Sequence, residues 1–109
     1  MGLAASQARV LILTARKNDI EMQQLYINQV RAQMSNSVGL LFNLSESLEP
    51  GSPRYSQLQQ RIAAIQQVDK GLQLQLERLT TQYQMVTAEL ESVRKNVQGN
   101  IKATFKALG

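Results

Sequence analysis

The chain has 109 residues, 43% of them hydrophobic and only 5% aromatic, and a formal net charge of +4. That length allows one domain at most, apolar enough to associate but poor in the bulky groups that fill globular cores. Cysteine and histidine are both absent, which excludes a disulfide framework, the commonest transition-metal ligands, a cysteine nucleophile and the side chain that most often moves protons near neutral pH.

The first half of the chain reads as one long helix, from about residue 3 to residue 48. Its longest wholly apolar run, Val10 to Leu13, is far short of the ~20 residues of a membrane span. Arg9 before it and Arg16 and Lys17 after it do not suit the core of a secretory signal. Leu13, Ile20, Ile27, Met34, Leu41 and Leu48 recur every seven residues, which predicts a seam for helix packing. Met22, Leu25, Tyr26, Val30, Val38, Leu40, Phe42 and Leu44, with Val10, Leu11 and Ile12, widen that stripe beyond what one partner helix covers. The patch Ser35 to Gly39, SNSVG, is the expected kink or break, because Ser, Asn and Gly compete with or weaken helical hydrogen bonding.

The stretch EPGSP, residues 49–53, contains the only two prolines. Pro50 pushes Glu49 out of the helical region. Gly51 offers a left-handed turn conformation, Ser52 a cap for new backbone donors, and Pro53 fits the first helical position, where its missing N–H costs nothing. Pro50, Gly51, Ser52 and Pro53 are therefore expected to form a tight turn at residues 49–53 between antiparallel helices.

From about residue 54 to residue 107 a second helix carries an apolar series stepping by four and three. It runs through Leu58, Ile62, Ile65, Asp69, Leu72, Leu76, Leu79, Tyr83, Val86, Leu90, Val93 and Val97. Asp69 alone among them is charged; it is either a register-setting polar position or a side chain escaping to the surface beside Gly71. After Val97 the steps become four and four, through Ile101 and Phe105 to Leu108, a change that locally unwinds a left-handed supercoil. Gly71 and Gly99 each weaken a helix interior by about 1 kcal/mol; they are either tolerated weak points or places of close approach or hinging between subunits. The two helices would be ~69 Å and ~80 Å long, lengths for a rod, and a two-helix rod has one layer of contact where stable domains enclose a core. Oligomerisation is the expectation, as a bundle or a filament.

The polar faces are rich in Gln, Asn, Ser and Thr, and only 18% of residues are charged. Such a surface can be buried between copies without the desolvation cost of ions. The carboxylates Asp19, Glu21, Glu46, Glu49, Asp69, Glu77, Glu89 and Glu91 are scattered among helical positions beside Lys or Arg, as on solvated faces. No catalytic, cofactor-binding or metal site is expected, and the chain reads as no enzyme. Folding back at Gly51 would set Arg9 near Arg94 and Arg16 and Lys17 near Thr87, gathering Arg9, Arg16, Lys17, Arg94, Lys95, Lys102 and Lys106 at a basic tip. That tip suits acidic patches on a partner or anionic lipid; without interleaved aromatics or a known module it argues against a nucleic-acid reader.

The turn PGSP, the following SQLQQRI and the ending VRKNVQGNIKATFKAL resemble the needle and inner-rod subunits of bacterial type III secretion systems over about the last sixty residues. Those subunits are small helical hairpins with a proline-bearing turn and an aliphatic C-terminal helix that ends near a phenylalanine. The resemblance implies that Pro50 and Pro53 form the turn and that Val93, Val97, Ile101 and Phe105 lie on the subunit-packing helix. The opening MGLAASQARVLILTARKND looks like the start of short bacterial proteins and implies a bacterial origin without implying an activity.

The expectation is an all-α, coiled-coil-like antiparallel two-helix hairpin that assembles with itself. It would be a non-enzymatic structural subunit of a secretion-related rod or filament, alone or with other secretion-apparatus proteins. Val10, Leu11, Met22, Leu25, Tyr26, Leu40, Phe42, Val97, Ile101, Phe105 and Leu108 are the expected packing residues between copies. It would be made in the cytoplasm without a cleavable signal peptide, and export to the envelope or cell surface would need a route that reads something else. Two alternatives stand beside it: a cytoplasmic coiled-coil chaperone or adaptor in a small closed oligomer with a client, and a membrane-surface protein using the basic tip.

Overall fold

The computed structural model describes residues 2–109. Two α-helices, α1 over Leu3–Glu46 and α2 over Pro53–Leu108, form an all-α antiparallel hairpin. Glu46 ends α1 two residues before the position expected. The amides of Ser47 and Leu48 bond three residues back, to the carbonyls of Leu44 at 3.3 Å and Ser45 at 3.1 Å, which tightens the final turn. The hydroxyls of Ser45 and Ser47 donate to the carbonyls of Phe42 and Leu44, both at 2.8 Å, so these serines satisfy acceptors that a helix end leaves open.

The turn closes with Ser52 N–H donating to the Glu49 carbonyl at 3.0 Å. Ser52 caps α2: its Oγ accepts the Tyr55 amide at 3.2 Å, and its carbonyl accepts the Ser56 amide at 3.2 Å. Pro53 takes the first helical position, as its fixed φ and missing donor favour. Gly51 does not adopt the left-handed conformation expected of it, since no residue among those described has a positive φ. The Glu49–Ser52 hydrogen bond closes a turn that needs only ordinary backbone angles.

The expected break at Ser35 to Gly39 does not occur, and α2 is likewise continuous through Gly71 and Gly99. Each weak residue costs a helix at most about 1 kcal/mol, while Met34, Val38 and Leu41 within and beside SNSVG lie on the half-buried side of α1. Packing outweighs local propensity there.

The covered side of α2 runs without a phase change from Tyr55 to Asn100 in steps of three and four. In α1 it consists of two lines. One holds Ser6, Leu13, Ile20, Ile27, Met34 and Leu41; the other, three residues ahead, holds Leu3, Val10, Lys17, Gln24, Arg31, Val38 and Ser45. Every side chain on both lines is buried or half-buried, the a and d pattern of two helices packing knobs into holes.

Contacts divide the hairpin into two units. Unit 1 comprises residues 1–23 and 79–109, and unit 2 residues 24–78. In unit 1 the core is Leu13, Ile20, Leu79, Val86, Leu90 and Val93, with Leu13 fully buried. Removing each such side chain from water contributes about 1.5–3 kcal/mol. In unit 2 only Ile27 and Ile62 are buried apolar residues, the other seam residues being half-covered.

Neither Gly71 nor Gly99 has an atom within 4 Å of where a Cβ would stand, so no close approach within the chain requires them. Gly71→Ala and Gly99→Ala should each stabilise the fold by about 1 kcal/mol and raise the melting temperature by about 4–8 °C, measured by circular dichroism at one protein concentration. A fall in melting temperature at either position would show that the glycine is needed for a contact between copies.

Candidate interaction surfaces

One charged pair interrupts the seam of unit 2. Asp69, on the covered side of α2, meets Arg31 of α1: Nε donates to Oδ1 at 2.8 Å and Nη2 to Oδ2 at 3.4 Å. Asp69 thus does not escape beside Gly71. The hydrogen bond from Arg31 holds its carboxyl below the usual carboxylate value, with partial desolvation opposing and the neighbouring positive charge reinforcing it. The same hydrogen bond, weakened by desolvation and helped by charge, raises Arg31. Arg31 was not legible as a seam residue. The signal that locates it is Asp69 itself, since a carboxylate in an otherwise apolar series calls for a cation on the facing helix. A bidentate pair of this kind sets register, because sliding one helix by a turn would leave both charges unpaired.

In unit 1 the facing pairs correct the expected register. Arg9 lies opposite Glu89, not Arg94: its Nε donates to Glu89 Oε1 at 3.1 Å, and its Nη2 contacts the same oxygen. Lys17 Nζ lies 5.8 Å from the centre of the Tyr83 ring, within reach of a cation–π attraction, and the Tyr83 hydroxyl donates to Glu21 Oε1 at 3.2 Å. The Arg9–Glu89 and Lys17–Tyr83 pairs are centred on residues 49 and 50, as an α1 that stops early and a turn that begins at Ser47 require, while Glu21–Tyr83 is centred on residue 52. The shift brings a carboxylate against a cation where two arginines were expected together.

The basic tip is therefore partly neutralised. Arg9 is paired with Glu89, and Lys95 lies 3.6 Å from Glu91 on an exposed face. Among the described residues no carboxylate pairs with Arg16, Arg94, Lys102 or Lys106. Unit 1 still holds the charge excess, with seven basic and four acidic side chains against five and four in unit 2.

The apolar residues expected to pack between copies divide into two groups. Val10 and Val97 stand half-buried on the hairpin's own seam, and Val93 is buried there; the heptad that places them beside Leu13 and Leu90 commits them to the fold. Leu11, Met22, Leu25, Tyr26, Leu40, Phe42, Ile101, Phe105 and Leu108 are exposed. On α1 much of this exposure follows a second line, opposite the seam. In unit 1 it comprises Ala4, Ala8, Leu11, Ala15 and Met22, and in unit 2 Leu25 and Ala32, with Tyr26 and Leu40 beside it. The polar members, Asn18, Gln29 and Asn36, carry no charge. The outward face of α2 is different in kind: Gln60, Gln67, Lys70, Glu77, Gln84 and Glu91 are exposed there, with Leu74 and Met85 apart. Among the described residues no cluster of potential metal ligands occurs, and no helix is long and apolar enough to cross a membrane.

Because the folded Asp69 carboxyl lies below its unfolded value, the pair contributes fully above about pH 4 and is lost as pH falls through the lowered folded value. Asp69→Asn should therefore melt lower than wild type near neutral pH, and the two melting temperatures should converge on acidification. A difference that stays constant down to strongly acidic pH would show that ionisation of Asp69 is not what the substitution removes.

In comparisons with known proteins, the chain matches no family model, no curated protein and no solved structure.

Proposed function

We propose that the chain is a non-enzymatic, self-assembling structural subunit whose copies pack through the outer line of α1. The observation that carries this reading is the exposure of large apolar side chains on a line bearing no charge: Leu11 is 72% exposed, Met22 69% and Leu25 60%. Exposed apolar faces of this kind mark association surfaces, and the repeat by sevens is what a neighbouring helix requires. The alanines between the large residues allow close approach. A secretion-related rod or filament in a bacterium is the setting proposed, supported by the likeness of the turn and C-terminal helix to needle and inner-rod subunits.

A second reading, a chaperone or adaptor in a small closed oligomer, is favoured by a separate observation. The apolar line runs along one helix only, while the outward face of α2 is polar. One self-complementary face closes into a dimer, whereas open polymers need two different faces that meet.

Sedimentation velocity over a wide concentration range, with negative-stain images of concentrated protein, decides between them. Open-ended polymers support the filament, and a fixed dimer or tetramer supports the adaptor. In either assembly Leu11→Glu combined with Met22→Glu should shift the protein to monomer with unchanged helicity, since both side chains lie off the seam. Wild-type protein that stays monomeric and fully helical at high concentration would overturn self-assembly.

A further inference from the structure

The end of α2 differs from the rest of the hairpin. Its covered side stops at Asn100, and every residue from Ile101 to Gly109 is exposed although α2 remains helical to Leu108. The register of unit 1 accounts for this, because Arg9 faces Glu89 and α1 begins only six residues earlier, at Leu3. The last two turns of α2 thus have no α1 residue opposite them. On these turns Ile101, Phe105 and Leu108, spaced by four and three, share one face, and Phe105 and Leu108 are 71% and 81% exposed. Lys95, Lys102 and Lys106, spaced by seven and four, line the adjoining face, and Arg94 stands seven residues before Ile101 at the head of the apolar line. After Glu91 the sequence contains no Asp or Glu.

We propose that this C-terminal segment of α2 is a docking site for an anionic lipid surface. Its apolar face would enter the headgroup and acyl boundary, with the lysines reaching up to phosphate and carboxylate groups. Apolar side chains on one face and lysines on the next are what an interfacial helix needs, and each basic group near an anionic leaflet adds to the attraction. Charge complementarity selects this occupant over the others. A second copy packing its α1 outer line here would bring no carboxylate before Asp19 to meet the four cations. A nucleic acid would take the lysines but gain nothing from Phe105 and Leu108, which its phosphate backbone cannot cover.

The test is flotation of the full chain with vesicles of phosphatidylcholine and phosphatidylserine in a three-to-one mixture, against vesicles of phosphatidylcholine alone. The protein should float with the anionic vesicles at low salt, stay behind with the neutral ones, and lose binding as salt rises. Lys102→Gln with Lys106→Gln should weaken binding about 30-fold. Phe105→Ser should weaken it too, while Lys70→Gln, on the polar face of unit 2, leaves it unchanged. Circular dichroism and sedimentation of each variant separate lost lipid binding from lost folding or assembly. Failure to bind anionic vesicles at low salt would overturn the proposal. So would binding that survives Phe105→Ser unchanged, or binding to duplex DNA that competes with the vesicles and is insensitive to Phe105→Ser, either of which would mark the segment as a general polyanion site.

Discussion

The whole hairpin depends on one strip of side-chain interdigitation between α1 and α2. Two helices have no second layer to lean on, so the 3–4 repeat must be kept in both for the strip to be continuous. That constraint explains why Gly71, Gly99 and the SNSVG stretch are tolerated without breaks: each is a local weakness on a helix whose other side is held. It also explains where the surfaces come from. A helix covered along one strip leaves more than half its circumference open, and what the chain places there decides what else it can touch.

The strip is chemically uneven. In unit 1 it is mostly aliphatic and well covered, with Ser6, Lys17 and Tyr83 among its members and Arg9–Glu89 at its flank. In unit 2 it is thinner, and Arg31–Asp69 stands in its middle. A slip of one helix by a turn would leave both charges of this pair unpaired, a penalty that an all-aliphatic seam does not carry. Ser6 is buried in unit 1 without a partner for its hydroxyl.

Most of this fold could be read from the residue pattern, because a heptad series and a proline-flanked turn are local signals. The α2 seam from Leu58 to Val97, the cap at Ser52 and the start at Pro53 all follow from such signals. One half of the α1 seam was not legible, since Lys17, Gln24 and Arg31 occupy positions where periodicity looks for apolar residues. Their side chains are accommodated only by what α2 sets opposite, such as Tyr83 for Lys17 and Asp69 for Arg31, which is knowledge of register. The register in turn hinges on where α1 stops, and two serine hydroxyls capping carbonyls are too slight a signal to fix that within two residues. Val10, expected to pack between copies, is half-buried on the hairpin's own seam, and so is Val97, which the α2 series already includes. The outer line of α1 was visible as an excess of apolar residues, but which of them faced outward depended on the same register.

Chain connectivity gives these contacts only slightly different costs. The Arg31–Asp69 pair closes a separation of 38 residues and Arg9–Glu89 one of 80, and each doubling of a loop adds only ~0.6 kcal/mol of closure entropy. The better-buried aliphatic core lies in the unit that contains both chain ends, where the turn helps least. Contacts near Ser52 are helped by proximity along the chain, while those around Leu13 and Leu90 rest on burial and on the Arg9–Glu89 pair at their flank. The hairpin is thus an entropic zipper with its strongest teeth set farthest from the slider.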